Sequence, residues 1–233
     1  MLRRFREFSG RWGFKLIADV PQPRVNYLLM GATVVGLLDK EPPMFYDNIR
    51  AGFKILVTRP FGELSVISTY LTAHVDESIM EEFEHNVMSI DDLEKLKIEI
   101  MDTLSRPNIE IARVINKYLP ELDESFREDE HIAATIDISG PGIFVFKELA
   151  EQANVDIALH SIPLLSPEVA RFAAEHYIIT DATAGTNGAI AIVAGKDVVD
   201  SIINDLRGIE GVQPMVIGEV MGRGTVGYSC LTT

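Results

Sequence analysis

The chain has 233 residues, 47% of them hydrophobic and 24% charged, which excludes a disordered protein and allows a sizeable buried core. Its 21 basic and 35 acidic residues give a net charge of −14, and such a field repels nucleic acid and anionic membranes. The single cysteine, Cys230, excludes an internal disulfide and a cysteine-rich metal site. These features predict a globular cytoplasmic protein with no nucleic-acid partner and no membrane partner.

The first predicted element is a basic amphipathic helix, because five of the first 15 residues are basic and only Glu7 is acidic. The alternative interpretation is a transit peptide, which would also be Arg-rich and acid-poor but richer in serine. The longest apolar run, Tyr27–Leu38, has 12 residues, whereas a membrane-spanning helix needs about 20. An uncovered strand of such apolar composition would aggregate. The apolar residues between positions 14 and 38 therefore predict association, either with a partner or with a second copy of the chain.

The middle of the chain carries an acidic helical segment. Asp76–Glu130 contains 17 acidic and 6 basic residues, a net charge of −11. Apolar residues recur at helical spacing over Leu93–Leu104, and Ser89 resembles the first residue of a capping box for that helix. Pro107 ends this helix, and a second one is predicted over about Asn108–Tyr118. The segment is interpreted either as a solvated helical hairpin packed on a core or as an acidic docking surface.

The rest of the chain alternates strands and helices. Apolar and β-branched runs of strand length predict strands at Phe53–Thr58, Ile132–Ile138, Val155–His160, Ala189–Ala194 and Met215–Val220. Amphipathic runs predict helices over about Gly62–Val75, Ile143–Ala153, Ser166–His176 and Asp197–Arg207. This order of elements predicts layered α/β or α+β packing.

Several motifs of known chemistry are absent or out of context. Gly222–Gly227 matches GxGxxG, but only six residues follow it, and a dinucleotide site needs a helix that begins at those glycines. The sequence has no GxxxxGK[ST] loop, no HExxH pair and no GxSxG elbow. These absences argue against a P-loop nucleotidase, a zinc hydrolase and a serine hydrolase.

Two loops have the composition of a ligand site. In the first, Asp137 ends a predicted strand, and a turn containing Gly140 and Gly142 leads into a helix. Amides at a helix start attract phosphate and a nearby aspartate can hold Mg²⁺, although the same pattern is also common in a plain turn. In the second, Thr183 and Asn187 belong to a small-residue loop that permits close approach of a ligand or is an ordinary loop.

At these residues the sequence resembles the aminoimidazole ribonucleotide synthetase superfamily, mainly its C-terminal domain. That superfamily includes selenophosphate synthetase, thiamine-monophosphate kinase, formylglycinamidine synthetase and a hydrogenase-maturation dehydratase. The strand, turn and helix from His131 to Ile157 resemble the family's T-D-[VI]-[ST]-G-x-G signature, with Thr135 displaced by one position. Four further pieces match in order: Ala51–Gly62, Arg106-Pro107-Asn108, Thr183–Val193 and Val216–Val220. Selenophosphate synthetase-like proteins are the branch that the sequence resembles most.

The resemblance implies an α+β fold with three layers, α/β/α, around a mixed sheet. It predicts that residues 1–46 are a remnant of an N-terminal domain, comprising a helix and two strands. Residues 47–233 are predicted to form the C-terminal synthetase-like domain, with the acidic helical segment at 76–130. Most of the family's N-terminal ATP-binding domain, which carries its acidic Gly-Asp-Asp-type motif, has no counterpart in the sequence.

Members of the family transfer a phosphoryl group from ATP with Mg²⁺. The match implies that Asp137 binds Mg²⁺, that Gly140 and Gly142 shape a turn near the phosphates, and that Thr183 and Asn187 approach the phosphate or the acceptor. One carboxylate holds metal-triphosphate poorly, so the chain is expected to be incomplete alone. A separate N-terminal-domain protein or a homodimer would complete it; the alternative is a non-catalytic homologue that binds a small ligand or a protein.

Overall fold

A computed structural model of the chain describes residues 2–13, 15–16, 33, 35–223 and 228–230. The chain forms two compact units, residues 1–37 and residues 38–233. In the first unit, helix α1 (Leu2–Trp12) confirms the predicted basic helix. The strands expected between positions 14 and 38 fall mostly outside the described residues. None of the helices in the described ranges combines the length and apolarity needed to cross a membrane.

A six-stranded mixed sheet forms the centre of the second unit. Its strands are β1 (Lys54–Val57), β2 (Ile132–Asp137), β3 (Asp156–Leu159), β4 (Ile190–Ala194), β5 (Met215–Gly222) and β6 (Tyr228–Cys230). Their order is β2-β4-β1-β5-β3-β6, and every neighbouring pair is antiparallel except β3 with β6. The five predicted strands are confirmed. β6 has only three residues, too few to show the period of a strand in the sequence.

Seven helices surround this sheet or pack beside it in the described part of the second unit. They are α2 (Glu63–Ala73), α3 (Glu77–Asn86), α4 (Ile90–Leu104), α5 (Ile109–Lys117), α6 (Val145–Ala153), α7 (Pro167–Glu175) and α8 (Lys196–Leu206). Short 3₁₀ turns lie at Tyr46–Asn48 and Gly142–Phe144. The predicted helices are confirmed, whereas α3 lies in a part of the acidic segment where no separate helix was predicted.

Both faces of the central strands are buried, which explains their continuous apolar sequences. On β1, Ile55 and Val57 belong to the core that contains the apolar side of α6. Leu56 belongs to the opposite core, which contains the apolar sides of α5 and α8. Alternate residues of the strand thus face different helical layers. The three-layer α/β/α arrangement around a mixed sheet is confirmed.

The acidic segment does not pack as a single hairpin. Helix α4 joins α2, α3 and α7 in a third core, where the rings of Phe83 and Phe172 meet edge to face at a centroid distance of 5.1 Å. Helix α5 instead packs against α8 and the sheet. The two predicted helices are therefore present but bury their apolar sides in different cores. Ser89 caps α4 as expected, because its Oγ accepts a hydrogen bond from the Asp92 amide at 3.2 Å.

Candidate functional site

The sheet brings the two predicted ligand loops together. Strands β2 and β4 are antiparallel neighbours with Asp137 opposite Ile190, so the turn after β2 lies beside the loop before β4. A hydrogen bond from the Gly188 amide to Ser139 Oγ, 2.8 Å long, joins the turn to the loop directly. Residues 137–142, called the aspartate turn, and residues 181–188, called the threonine loop, therefore form one continuous surface.

The aspartate turn exposes a carboxylate in a fixed orientation. Asp137 Oδ1 accepts hydrogen bonds from the Ser139 amide at 3.0 Å and from Ser139 Oγ at 2.6 Å. Its second oxygen has no hydrogen-bond partner among the described residues, and the side chain is exposed. A carboxylate that keeps one oxygen free while the other fixes its rotamer is suited to bind a cation.

Gly142 fits against the threonine loop with no space for a side chain. Its φ is +58°, and a Cβ atom built on it would lie 2.5 Å from both the carbonyl oxygen and Oγ1 of Thr183. The buried Thr183 Oγ1 accepts a hydrogen bond from the Ile143 amide at 3.0 Å and donates one to Asp181 Oδ1 at 2.9 Å. Thr183 thus contacts the turn from inside the protein, while Asn187 is exposed on the outside of the loop.

The start of the helix after the turn has few amides available for a ligand. The Gly142 amide donates to the Ile138 carbonyl, the Ile143 amide to Thr183 Oγ1, and the Phe144 amide to the Pro141 carbonyl. Within the described residues, the amide of Gly140 makes no hydrogen bond. At the start of the helix, the Gly140 amide is therefore left for a phosphate, and the exposed side chain of Asn187 offers a further donor from the neighbouring loop.

A buried ion pair holds the threonine loop in place. Arg59 follows β1, and its guanidinium donates through Nη2 to the Asn187 carbonyl and through Nε to Glu63 Oε1 at 3.0 Å. The side chains of Arg59 and Glu63 are only 10% and 5% exposed. Asn108, at the start of α5, donates from Nδ2 to the Gly188 carbonyl at 2.6 Å. The loop is thus fastened at adjacent carbonyls from two different elements.

Arg59 and Asn108 lie inside the family-like motifs of the sequence, which assign a role to neither, and Glu63 lies outside those motifs. The sequence feature that indicates an ion pair is the i, i+4 spacing of Arg59 and Glu63 across the predicted start of a helix. Burial raises the pKa of Glu63 above its ordinary value, and the Arg59 charge opposes this effect. Glu63 Oε2 is buried without a hydrogen-bond partner in the described structure, so the carboxylate depends strongly on Arg59.

The described residues supply only part of what Mg²⁺ with a triphosphate would need. No cluster of three or more His, Cys, Asp or Glu side chains with the arrangement of a metal site occurs in the ranges that the structure describes. Mg²⁺ is usually bound through one or two carboxylates, substrate phosphates and water. The free oxygen of Asp137 fits one position in such a shell, and the surrounding side chains do not complete it.

The sequence matches no protein-family model and no curated protein. The structure is similar to thiamine-monophosphate kinase from Stenotrophomonas maltophilia, with 15% identity, a TM-score of 0.51, and coverage of 81% of this chain and 52% of that one. It is also similar to E. coli HypE, a hydrogenase maturation protein, with 16% identity, a TM-score of 0.49, and coverage of 81% of this chain and 49% of that one. For a structure of HypE in complex with ATP, the identity is 15%, the TM-score is 0.47, and the coverage is 81% of this chain and 50% of that one.

The chain therefore spans about half the length of these three solved structures. At this level of identity the similarity concerns the fold. It shows that this chain shares its α+β fold with that thiamine-monophosphate kinase, the fold that the motifs around Asp137 and Thr183 indicated.

Proposed function

We propose that this chain is the C-terminal half of an ATP-dependent phosphoryl-transfer enzyme related to the selenophosphate synthetases. In this proposal Asp137 binds the Mg²⁺ that accompanies ATP, and Gly140 presents its amide to a phosphate oxygen. Asn187 contributes its side-chain amide from the neighbouring loop. The protein acts in the cytoplasm.

The observation that carries the proposal is that three available groups lie on neighbouring loops that are held in place. They are the free carboxylate oxygen of Asp137, the free backbone amide of Gly140 and the exposed side-chain amide of Asn187. The Ser139 hydrogen bonds fix the Asp137 carboxylate, and Arg59 and Asn108 fix the loop that carries Asn187. Phosphoryl transfer depends mainly on positioning and charge neutralisation. Groups that are already held in place before the ligand binds are therefore suited to this chemistry.

The proposal requires further acidic ligands from outside the described residues. One carboxylate neutralises only a small part of the charge of a triphosphate, and the described residues contain no cluster of three or more His, Cys, Asp or Glu side chains that could hold the metal. The missing ligands would come from a separate N-terminal-domain protein or from a second copy of the chain. In the unit formed by residues 1–37, Val35 and Leu37 are 90% and 102% exposed, which supports such an association.

The second candidate function is a non-catalytic protein that keeps the family fold and binds a small ligand or a protein. It is favoured by the internal hydrogen bonds of the Gly142, Ile143 and Phe144 amides, which leave the helix start with little capacity for phosphate. The two candidates differ in whether Asp137 contributes to nucleotide binding.

Calorimetric titration of the chain with Mg-ATP tests this difference. We expect weak binding, with a dissociation constant of about 1 mM, and we expect Asp137→Asn to weaken it about fivefold or more. Asparagine keeps the Oδ1 acceptor for Ser139 and replaces the free, charged oxygen by a neutral NH₂ group, which is not a ligand for Mg²⁺. Asp76→Asn is the matched control, because Asp76 Oδ1 accepts from the amide and Oγ of Ser78 at the same distances, 3.0 and 2.6 Å.

Equal affinity of Asp137→Asn and the unchanged chain for Mg-ATP would rule out the metal-binding role. An equal loss of affinity in Asp76→Asn would assign the effect to net charge rather than to the aspartate turn.

A further inference from the structure

A hollow of about 240 Å³ opens to the surface next to the threonine loop. Its lining is mostly apolar and comes from the start of α2, the segment after α7 and the threonine loop. The lining residues are Leu64, Tyr177, Ile178, Ile179, Thr180, Asp181 and Ala184. Binding sites for drug-sized ligands usually measure about 300–1,000 Å³, so this hollow suits a molecule of one ring with a short substituent.

An unusually placed aromatic ring stands at the rim of the hollow. Tyr177 follows α7 with a φ of +55°, and the residue is 94% exposed. The Ile178 amide donates to the Ala173 carbonyl at 2.8 Å and the Tyr177 amide to the Ala174 carbonyl at 3.2 Å, the pattern of a Schellman cap. Glycine is the usual residue at this left-handed position, so the helix cap itself gives no reason for a tyrosine.

A single carboxylate faces the same hollow. Asp181 Oδ1 accepts hydrogen bonds from the amide and Oγ1 of Thr183, at 2.8 and 2.9 Å. Within the described part of the chain, its Oδ2 has no hydrogen-bond partner. The lining has no basic residue, and the whole chain carries a net charge of −14. The hollow therefore favours a cation over an anion.

We propose that this hollow binds a small planar cation that contains an aromatic ring. The ring of the ligand lies between the Tyr177 side chain and the apolar lining, and the charged group of the ligand contacts Asp181. A cation beside an aromatic ring gains attraction from the ring face, and a charge-assisted hydrogen bond to a carboxylate is stronger than a neutral one. Because Asp181 and the aspartate turn share Thr183, the molecule would lie next to the proposed phosphate position.

Benzamidine is a suitable probe, since it joins one aromatic ring to a planar cation. Its binding is followed by the amide shifts of residues 177–184 in NMR titrations without nucleotide. We expect saturable shifts with benzamidine and none with benzoate, which has the same ring and the opposite charge. We expect Tyr177→Gly and Asp181→Asn each to weaken benzamidine binding about fivefold or more.

Both substitutions preserve the local fold. Glycine suits the left-handed cap, so Tyr177→Gly is expected to melt at the same or a higher temperature. Asparagine keeps the Oδ1 acceptor for Thr183. The controls are Asn154→Gly, which removes a side chain from the left-handed cap of α6 at φ +51°, and Asp76→Asn. Neither control is expected to change benzamidine binding.

The proposal is overturned if benzoate binds as well as benzamidine, or if Tyr177→Gly and Asp181→Asn bind benzamidine as the unchanged chain does. The absence of any saturable shift in residues 177–184 would also overturn it. Because no nucleotide is present, these results are independent of whether Mg-ATP binds at Asp137.

Discussion

Arg59→Met is expected to lower the free energy of unfolding by about 3–5 kcal/mol, because it leaves the buried Glu63 carboxylate without its partner charge. Methionine retains most of the length of the side chain, so the loss comes mainly from the charge and its hydrogen bonds. For a chain of this size, the melting temperature should fall by roughly 6–20 °C. Thermal unfolding at neutral pH measures the effect.

The loss caused by Arg59→Met should depend on pH. Burial already raises the folded-state pKa of Glu63, and removal of Arg59 raises this pKa further. A group with a raised folded pKa contributes its stability below the unfolded pKa of about 4.5, and this contribution is lost as the pH rises through the folded pKa. The deficit of the variant should therefore be smaller at about pH 5 than at about pH 7.5.

A double variant separates the charge from the packing. Glu63→Gln removes the charge that Arg59 neutralises, so Arg59→Met combined with Glu63→Gln should be more stable than Arg59→Met alone. Two results would contradict the pairing of Arg59 with Glu63. One is that the loss of unfolding free energy in Arg59→Met does not depend on pH. The other is that the double variant loses as much unfolding free energy as the two single variants added together.

Gly142→Ala is expected to destabilise the protein by about 2–5 kcal/mol and to abolish the weak binding of Mg-ATP. The methyl group would lie 2.5 Å from the carbonyl oxygen and Oγ1 of Thr183, and the residue would have to keep a φ of +58°. The turn must therefore move away from the threonine loop. Urea unfolding and Mg-ATP calorimetry measure the two effects.

Gly140→Ala is the matched control for this prediction. Gly140 also has a positive φ, +79°, but a Cβ atom there would meet no atom within 4 Å. Its substitution should cost only the backbone strain, about 1–2 kcal/mol. Equal losses of unfolding free energy in the two variants would show that the contact between Gly142 and Thr183 does not hold the turn in place.

The sequence alone was sufficient to predict the aspartate turn together with the strand before it and the helix after it. Asp137, Gly140 and Gly142 lie within six residues of one strand-turn-helix unit. Such a local pattern can be recognised without any knowledge of the tertiary structure. The threonine loop was predicted separately, from its small residues and glycines. That the two loops touch follows from the pairing of β2 with β4, strands about 50 residues apart, which no local pattern encodes.

Two further features could not be predicted because they depend on the directions of side chains. The sequence shows Arg59 and Glu63 at helical spacing, but it does not show that the guanidinium reaches the Asn187 carbonyl. Nor does it show that the amides of Gly142 and Ile143 are used internally. Helix α3 escaped prediction because its apolar residues are few among many acids, and its burial at Phe83 depends on α7.

Paramagnetic NMR with Mn²⁺ in place of Mg²⁺ tests the central claim most directly, since Mn²⁺ also prefers oxygen ligands and broadens the signals of nearby amides. In the presence of ATP, we expect the amides of Ser139, Gly140 and Gly188 to broaden first, and Asp137→Asn to remove this effect. Broadening centred on the acidic helices of residues 77–104, with the aspartate turn unaffected, would contradict the assignment of Asp137 as the metal ligand.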